Sequence, residues 1–173
     1  MFISGLTYAN NSGDATNDID ISAGEAVDTT QVRLMQLTST YTKQSDVAWA
    51  VGSAAGGLDT GAVGNSDYYI WLICRVDTGV VDVLFSLSST APTMPANYTL
   101  KRLIGWFKRV AGTIVAFKTY ETAGGGLELL WNAPTLDISL TNLITTSRHT
   151  DAVKVPLTFS VIANLTVIIF DAS

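Results

Sequence analysis

The sequence is short of the groups that carry most protein chemistry. One cysteine, Cys74, and one histidine, His149, stand among 173 residues. An internal disulfide framework, a cysteine zinc site and a histidine-rich metal centre are thereby excluded. Charge is scarce as well, at 14% of residues against a usual share of about 25%. No apolar run reaches the roughly 18 residues a bilayer-spanning helix needs. The best candidate, 161–170, is interrupted by Asn164 and Thr166. The opening Met1-Phe2-Ile3-Ser4-Gly5 lacks the basic residues of a secretory signal. A net charge of −5 argues against nucleic acid as a partner. Neither membrane insertion nor a cofactor is expected.

What the sequence does have is apolar and strand-forming. Hydrophobic residues make up 47%, enough to fill a core, and Asp outnumbers Glu twelve to three. Threonine and serine, at 22 and 14, add turn and strand formers at the expense of helix formers. One domain over 1–173 is expected, with a subdivision near 110–126 as the alternative.

Period-two alternation recurs along the chain. Asp18-Ile19-Asp20-Ile21-Ser22 alternates cleanly, and Gln31-Val32-Arg33-Leu34 does the same. The aromatic and β-branched run 68–76, the turn Asp77-Thr78-Gly79 and the returning run 80–87 predict a β-hairpin. A second hairpin is predicted from 98–109, a turn at Ala111-Gly112, and 113–120, with Gly105 marking a bulge or a close backbone approach. Further strands are expected at 127–131, 136–140, 153–155 and twice within 157–170. Two stretches read as loops: the polar 10–18, and 52–65, with five glycines in fourteen residues. No window shows a capped 3.6-residue period. The expected fold is all-β with little or no helix, an antiparallel β-sandwich or jelly roll of roughly ten strands.

Candidate chemistry is thin. His149 sits between Ser147 and Asp151 in a polar connection without the turn or oxyanion donors of a serine hydrolase, so it reads as a loop residue. Cys74, between Ile73 and Arg75 in an apolar run, reads as a small buried hydrophobe. A glycosidase would need a carboxylate pair, for which Glu25, Glu121 and Glu128 are available without a distinguishing motif. Asp14, Asp18 and Asp20, with Asn10, Asn11 and Asn17, place enough oxygen for calcium, but the same residues build Asx turns and the spacing is not that of an EF-hand. Lys101, Arg102, Lys108 and Arg109 frame Trp106. They read either as the solvent-facing residues of one strand or, with Trp106 as a stacking platform, as a patch for an acidic glycan or a neighbouring subunit.

Several segments resemble, in order, a known kind of protein. They are Ile3-Ser4-Gly5-Leu6; Lys43, Trp49 and Gly52; Gly56-Gly57-Leu58-Asp59-Thr60-Gly61; Tyr68-Tyr69-Ile70-Trp71-Leu72-Ile73; the run 77–86; Ala91-Pro92-Thr93-Met94-Pro95-Ala96-Asn97-Tyr98-Thr99; and Arg102-Leu103-Ile104-Gly105. Together they resemble a domain of bacteriophage and prophage virion appendages, the tail-fibre and head-fibre or decoration proteins, over roughly 2–109. Met94 and Asn97 depart from the Leu and Gly usual there. The resemblance implies a noncatalytic β-rich virion protein, commonly a homotrimer, that contacts other virion proteins and, in a fibre, the host surface glycan. It also fits one domain of a longer fibre. Subunit contacts are expected at the glycine-rich loop, through Gly56, Gly57, Leu58, Asp59 and Gly61. The alternatives are a free carbohydrate-binding module and a capsule depolymerase.

Overall fold

The computed structural model describes residues 2–123, 126–133 and Ile162. The chain divides into two compact units, Met1–Thr135 and Leu136–Ser173, and 110–126 falls inside the first. The strands expected at 136–140, 153–155 and within 157–170, and His149, lie outside the described residues, apart from Ile162, which is exposed and not assigned to a strand.

Among the described residues there are strands and no helix. They run β1 (Ile3–Gly5), β2 (Tyr8–Asn10), β3 (Asp18–Ile21), β4 (Gly24–Val27), β5 (Leu34–Leu37), β6 (Tyr41–Ala48), β7 (Ala55–Leu58), β8 (Asp67–Arg75), β9 (Val81–Ser86), β10 (Tyr98–Val110), β11 (Thr113–Ile114), β12 (Phe117–Glu121) and β13 (Leu127–Trp131). A three-stranded sheet has the order β1-β4-β5, and a ten-stranded sheet the order β11-β10-β8-β9-β7-β6-β3-β2-β12-β13. The all-β expectation is met. The antiparallel one fails at a single strand, since β7 runs parallel to both β6 and β9.

Alternation decides which side chains go in. Ile19 and Ile21 of β3 are fully buried while Asp18 and Asp20 stay half-buried. The predicted hairpin forms as β8–β9, with Cys74 opposite Val81 and Tyr69 opposite Ser86. Both faces of β8 are covered: Tyr68, Ile70, Leu72 and Cys74 join the main core, and Tyr69, Trp71 and Ile73 are buried as well. That is why this run reads as continuously apolar instead of alternating. Ala26, Met35 and Leu37 of the small sheet close over the same core as Ile19, Leu72, Phe85 and Phe107.

Three local expectations are corrected. Gln31, Val32 and Arg33 are not strand. Gln31 has a left-handed φ of 60°, and the Asp28 carboxylate takes the backbone N–H groups of Thr30, Val32 and Arg33, so the turn wraps round Asp28 and the strand begins at Leu34. The second hairpin turns as predicted, with Ala111 and Gly112 both left-handed at φ 51° and 81°, but only Thr113 and Ile114 pair back onto β10. The chain then leaves, because the Phe117 N–H is taken by Asn10 Oδ1 and β12 pairs with β2 and β13. The glycine-rich segment is not all loop: Ala55–Leu58 is the interior strand β7.

The long sheet folds back so that β2, third from one end, meets β10, second from the other. Both meanings proposed for Gly105 hold. The β8–β10 register slips between Leu103 and Gly105, and a Cβ on Gly105 would lie 2.3 Å from the Tyr8 ring. The Tyr8 hydroxyl accepts from the Trp106 N–H at 3.2 Å, while Tyr8 and Thr119 exchange hydrogen bonds at 2.6 and 2.9 Å. Tyr8 is thus the bolt between the two ends.

Burial pushes the Tyr8 hydroxyl from 10.0 up to about 12, the Trp106 N–H offsetting this only in part. A group whose proton is held more tightly in the folded state contributes stability below its unfolded value and loses it as pH climbs to its folded value. Tyr8→Phe leaves the Trp106 N–H without this acceptor and is expected to be less stable than wild type at neutral pH, the gap narrowing between pH 10.0 and about 12 as the wild type loses stability. Urea unfolding followed by circular dichroism across that window checks this; a gap that widens would contradict it.

Candidate functional site

The four cations around Trp106 do not form one patch. Lys101 and Lys108 are seven residues apart on an extended strand, about 23 Å at the usual rise. Lys101 Nζ donates to Thr90 O at 3.2 Å and lies 5.2 Å from the centre of the Trp71 ring. Lys108 pairs with Asp67 at 3.1 Å. Arg102 and Arg109, read as solvent-facing, are buried instead. Arg109 is held without any carboxylate. Its guanidinium donates to Thr16 O, Ser45 Oγ, Asn17 Oδ1 and Gly112 O at 2.6–3.1 Å, which ties the 10–18 loop, β6 and the β10–β11 turn together. Its work is structural.

Trp106 is half-buried. It packs edge-on against Trp131, 5.7 Å between ring centres, and Trp131 packs against Phe117 at 6.1 Å. The stacking platform foreseen for Trp106 is thus shared with Trp131, each residue half-buried.

The candidate calcium ligands are mostly spent on backbone. Asp14 Oδ1 accepts from the N–H groups of Thr16 and Asn17, Asn11 Oδ1 accepts from Gly13 and Asp14, and Asp20 Oδ1 accepts from Asn11 and Thr42. The Asn11 and Asp14 bonds are the Asx turns that such residues favour, while Asp20 is held by the Asn11 and Thr42 side chains. Partial desolvation, then the charges of Asp14, Asp46 and Asp20, hold the Asp18 carboxyl above its ordinary value.

The candidate contact residues split. Gly56, Gly57 and Leu58 are buried inside the sheet, where no neighbouring subunit can reach them. Asp59 is half-buried and accepts from the Thr93 N–H at 2.9 Å, and Gly61 is exposed. Cys74 is buried, and desolvation pushes its thiol above the usual value, the opposite of what a nucleophile needs. Glu25 and Glu121 line a shallow cleft of about 490 Å³ with Ser4, Gln36 and Thr38. The Glu121 carboxylate already accepts from the Gly5 N–H at 2.5 Å.

The strongest chemical cluster was not singled out from the sequence. Lys43 and Asp82 form an ion pair at 2.9 Å with both side chains fully buried. The Lys43 ammonium also donates to Ala50 O at 2.6 Å and Gly52 O at 3.0 Å, spending all three protons. Asp82 Oδ1 accepts from the Val83 N–H at 2.6 Å, and Oδ2 from Tyr41 Oη at 3.1 Å and the Gly52 N–H at 2.8 Å. The Trp49 ring stands 5.3 Å from Lys43 Nζ and sends its own N–H to Val83 O. Desolvation lowers the proton affinity of Lys43, with Asp82 opposing.

This cluster exists because of β7. A parallel strand pair is ordinarily joined by a dozen or more residues. Here β6 ends at Ala48 and β7 begins at Ala55, in register from Lys43 opposite Ala55. The chain must double straight back, and Lys43 grips the returning carbonyls of Ala50 and Gly52. The sequence signal was there in one place: Asp82 interrupts the apolar run Val80-Val81-Asp82-Val83-Leu84, and a charge inside a buried run requires a partner.

Comparison with known proteins adds nothing to this geometry: no protein-family model, no curated protein and no solved structure matches the chain.

Proposed function

We propose that this chain is a structural protein of a bacteriophage particle, a trimeric fibre, spike or capsid-decoration component that contributes to adhesion at the host surface. The ordered segments between Ile3 and Gly105 support this reading, and one structural observation carries it. Large apolar residues stand exposed on segments of the first unit that hydrogen bonds join: Phe2, Val32, Leu34, Val76 and Val80, with Val32 79% exposed. Val27 donates to Phe2 O and pairs with Leu34, Arg33 Nη1 donates to Val76 O at 3.1 Å, and the Arg75 N–H donates to Val80 O. Soluble monomers rarely leave such a cluster uncovered. Copies related by symmetry would cover it, and would account for part of the missing surface charge. No helix among the described residues is long and apolar enough to cross a membrane.

Light scattering on the purified chain is expected to give a trimer, and antibody labelling to place the protein on the particle. Val32→Asp is expected to release monomers with a change in folding stability within about 0.5 kcal/mol, because the side chain is exposed. A wild-type monomer at micromolar concentration, or absence from the particle, would overturn the proposal. The Trp106–Trp131 pair favours a second reading, a free carbohydrate-binding module. That reading requires a monomer whose tryptophan fluorescence changes on titration with host glycan.

A further inference from the structure

We propose that Lys43 and Asp82 condense in the folded chain into an intramolecular amide, an isopeptide staple joining β6 to β9 across β7. The reacting groups are already in contact at 2.9 Å, with neither side chain exposed to solvent. Groups fixed in this way react with effective concentrations of about 10⁵ M or more. As an ion pair the arrangement is a poor investment, because desolvating two charges roughly cancels their attraction. As an amide it carries no charge to desolvate.

The surroundings suit the step. Oδ1 is held by the Val83 N–H at 2.6 Å, and Oδ2 by the Gly52 N–H at 2.8 Å and Tyr41 Oη at 3.1 Å. These donors are aimed at the carboxyl oxygens where negative charge grows when nitrogen adds to the carbon. The rings of Trp49 and Tyr41, 5.3 and 5.8 Å from Nζ, shield the site from the water that would reverse it. Desolvation favours the free amine of Lys43.

The bookkeeping closes without an outside reagent. One ammonium proton passes across the 2.9 Å contact to Asp82 Oδ1, leaving a neutral amine beside a neutral acid. Nζ forms a bond to Cγ, a second nitrogen proton passes to Oδ1, and the Cγ–Oδ1 bond breaks to release water. The amide keeps one N–H, aimed at the carbonyls that Lys43 already grips, and its oxygen, Oδ2, keeps the Gly52 N–H and the Tyr41 hydroxyl. Nothing is oxidised or reduced.

The test is the mass of the full chain as purified and folded. The proposal expects it to be lighter than the sequence by one water molecule, with trypsin after denaturation releasing a branched product that joins 34–75, uncut at Lys43, to 76–101. Lys43→Arg is expected to restore the mass of its own sequence. A wild-type chain of full sequence mass that trypsin cuts after Lys43 overturns the proposal. A lost water that persists in Lys43→Arg overturns it equally, since the loss then lies elsewhere. The wild-type measurement does not depend on any variant folding.

Discussion

Replacing Asp82 by alanine is expected to destabilise the first unit by about 3–5 kcal/mol, the usual consequence of leaving one member of a buried pair without its partner. Lys43 would remain buried, with its charge facing only the carbonyls of Ala50 and Gly52, and the Gly52 and Val83 N–H groups would lose their acceptor. Small domains are stable by about 5–15 kcal/mol in total, so this single change removes a large part of the margin. Lys43→Met is expected to do comparable damage from the other side. The double change Lys43→Met with Asp82→Leu is expected to recover most of the loss, because apolar pairs of similar volume replace buried ion pairs at little net effect. Urea unfolding of the four proteins checks the cycle. If the double variant is no better than the sum of the single ones, the two residues are not coupled. A covalent link between them would enlarge the single-variant losses without changing their order.

Gly56→Ala is expected to be the most damaging change among the glycines. A Cβ there would lie 2.0 Å from Ala48 O and 2.7 Å from Val47 O, both backbone atoms of the strand beside it. A flexible side chain can swing aside, but these carbonyls belong to the tight return from β6 to β7 and cannot. The loss is expected at or above the upper end of the roughly 1–3 kcal/mol typical of overpacking. Gly64→Ala, in the same glycine-rich stretch, meets nothing within 4 Å and is expected to be neutral. Thermal unfolding of the two variants separates the structural glycine from the one in open loop. Equal effects would mean that the crossover is looser than the backbone contacts require.

That contrast shows where sequence reasoning reached its limit. Hairpin β8–β9 was legible because two apolar runs flank a turn ending at Gly79, whose φ of 75° suits glycine. Strand β7 was not, because Gly56 and Gly57 supply no side-chain alternation and glycine is read as a loop former. What makes them a strand is close approach, Gly57 having Phe85 and Gly56 having Ala48 where a Cβ would be. The same limit hid the Lys43–Asp82 cluster. Lys43, Trp49, Gly52 and Asp82 meet there; Asp82 announces a buried charge by breaking an apolar run, yet nothing local says that Lys43, 39 residues earlier, is its partner. Arg109 was misread for a related reason: a charged residue at a strand end is usually solvated, and three of its four neutral acceptors, on Thr16, Asn17 and Ser45, are far away in sequence.

The bolt at Tyr8 also sets a schedule. Strand β2 can pair with β3 as soon as the two are made, but its other side waits for β12, and the Tyr8–Thr119 bonds span 111 residues. At a synthesis rate of about 5–20 residues per second, the outer edge of β2 stands open on the ribosome for on the order of ten seconds. An open strand edge is a template for other chains. Where copies are made close together, the strand that bolts one chain shut is for that interval the strand most exposed to a neighbour's β12, and exchange of β2 between copies competes with closure.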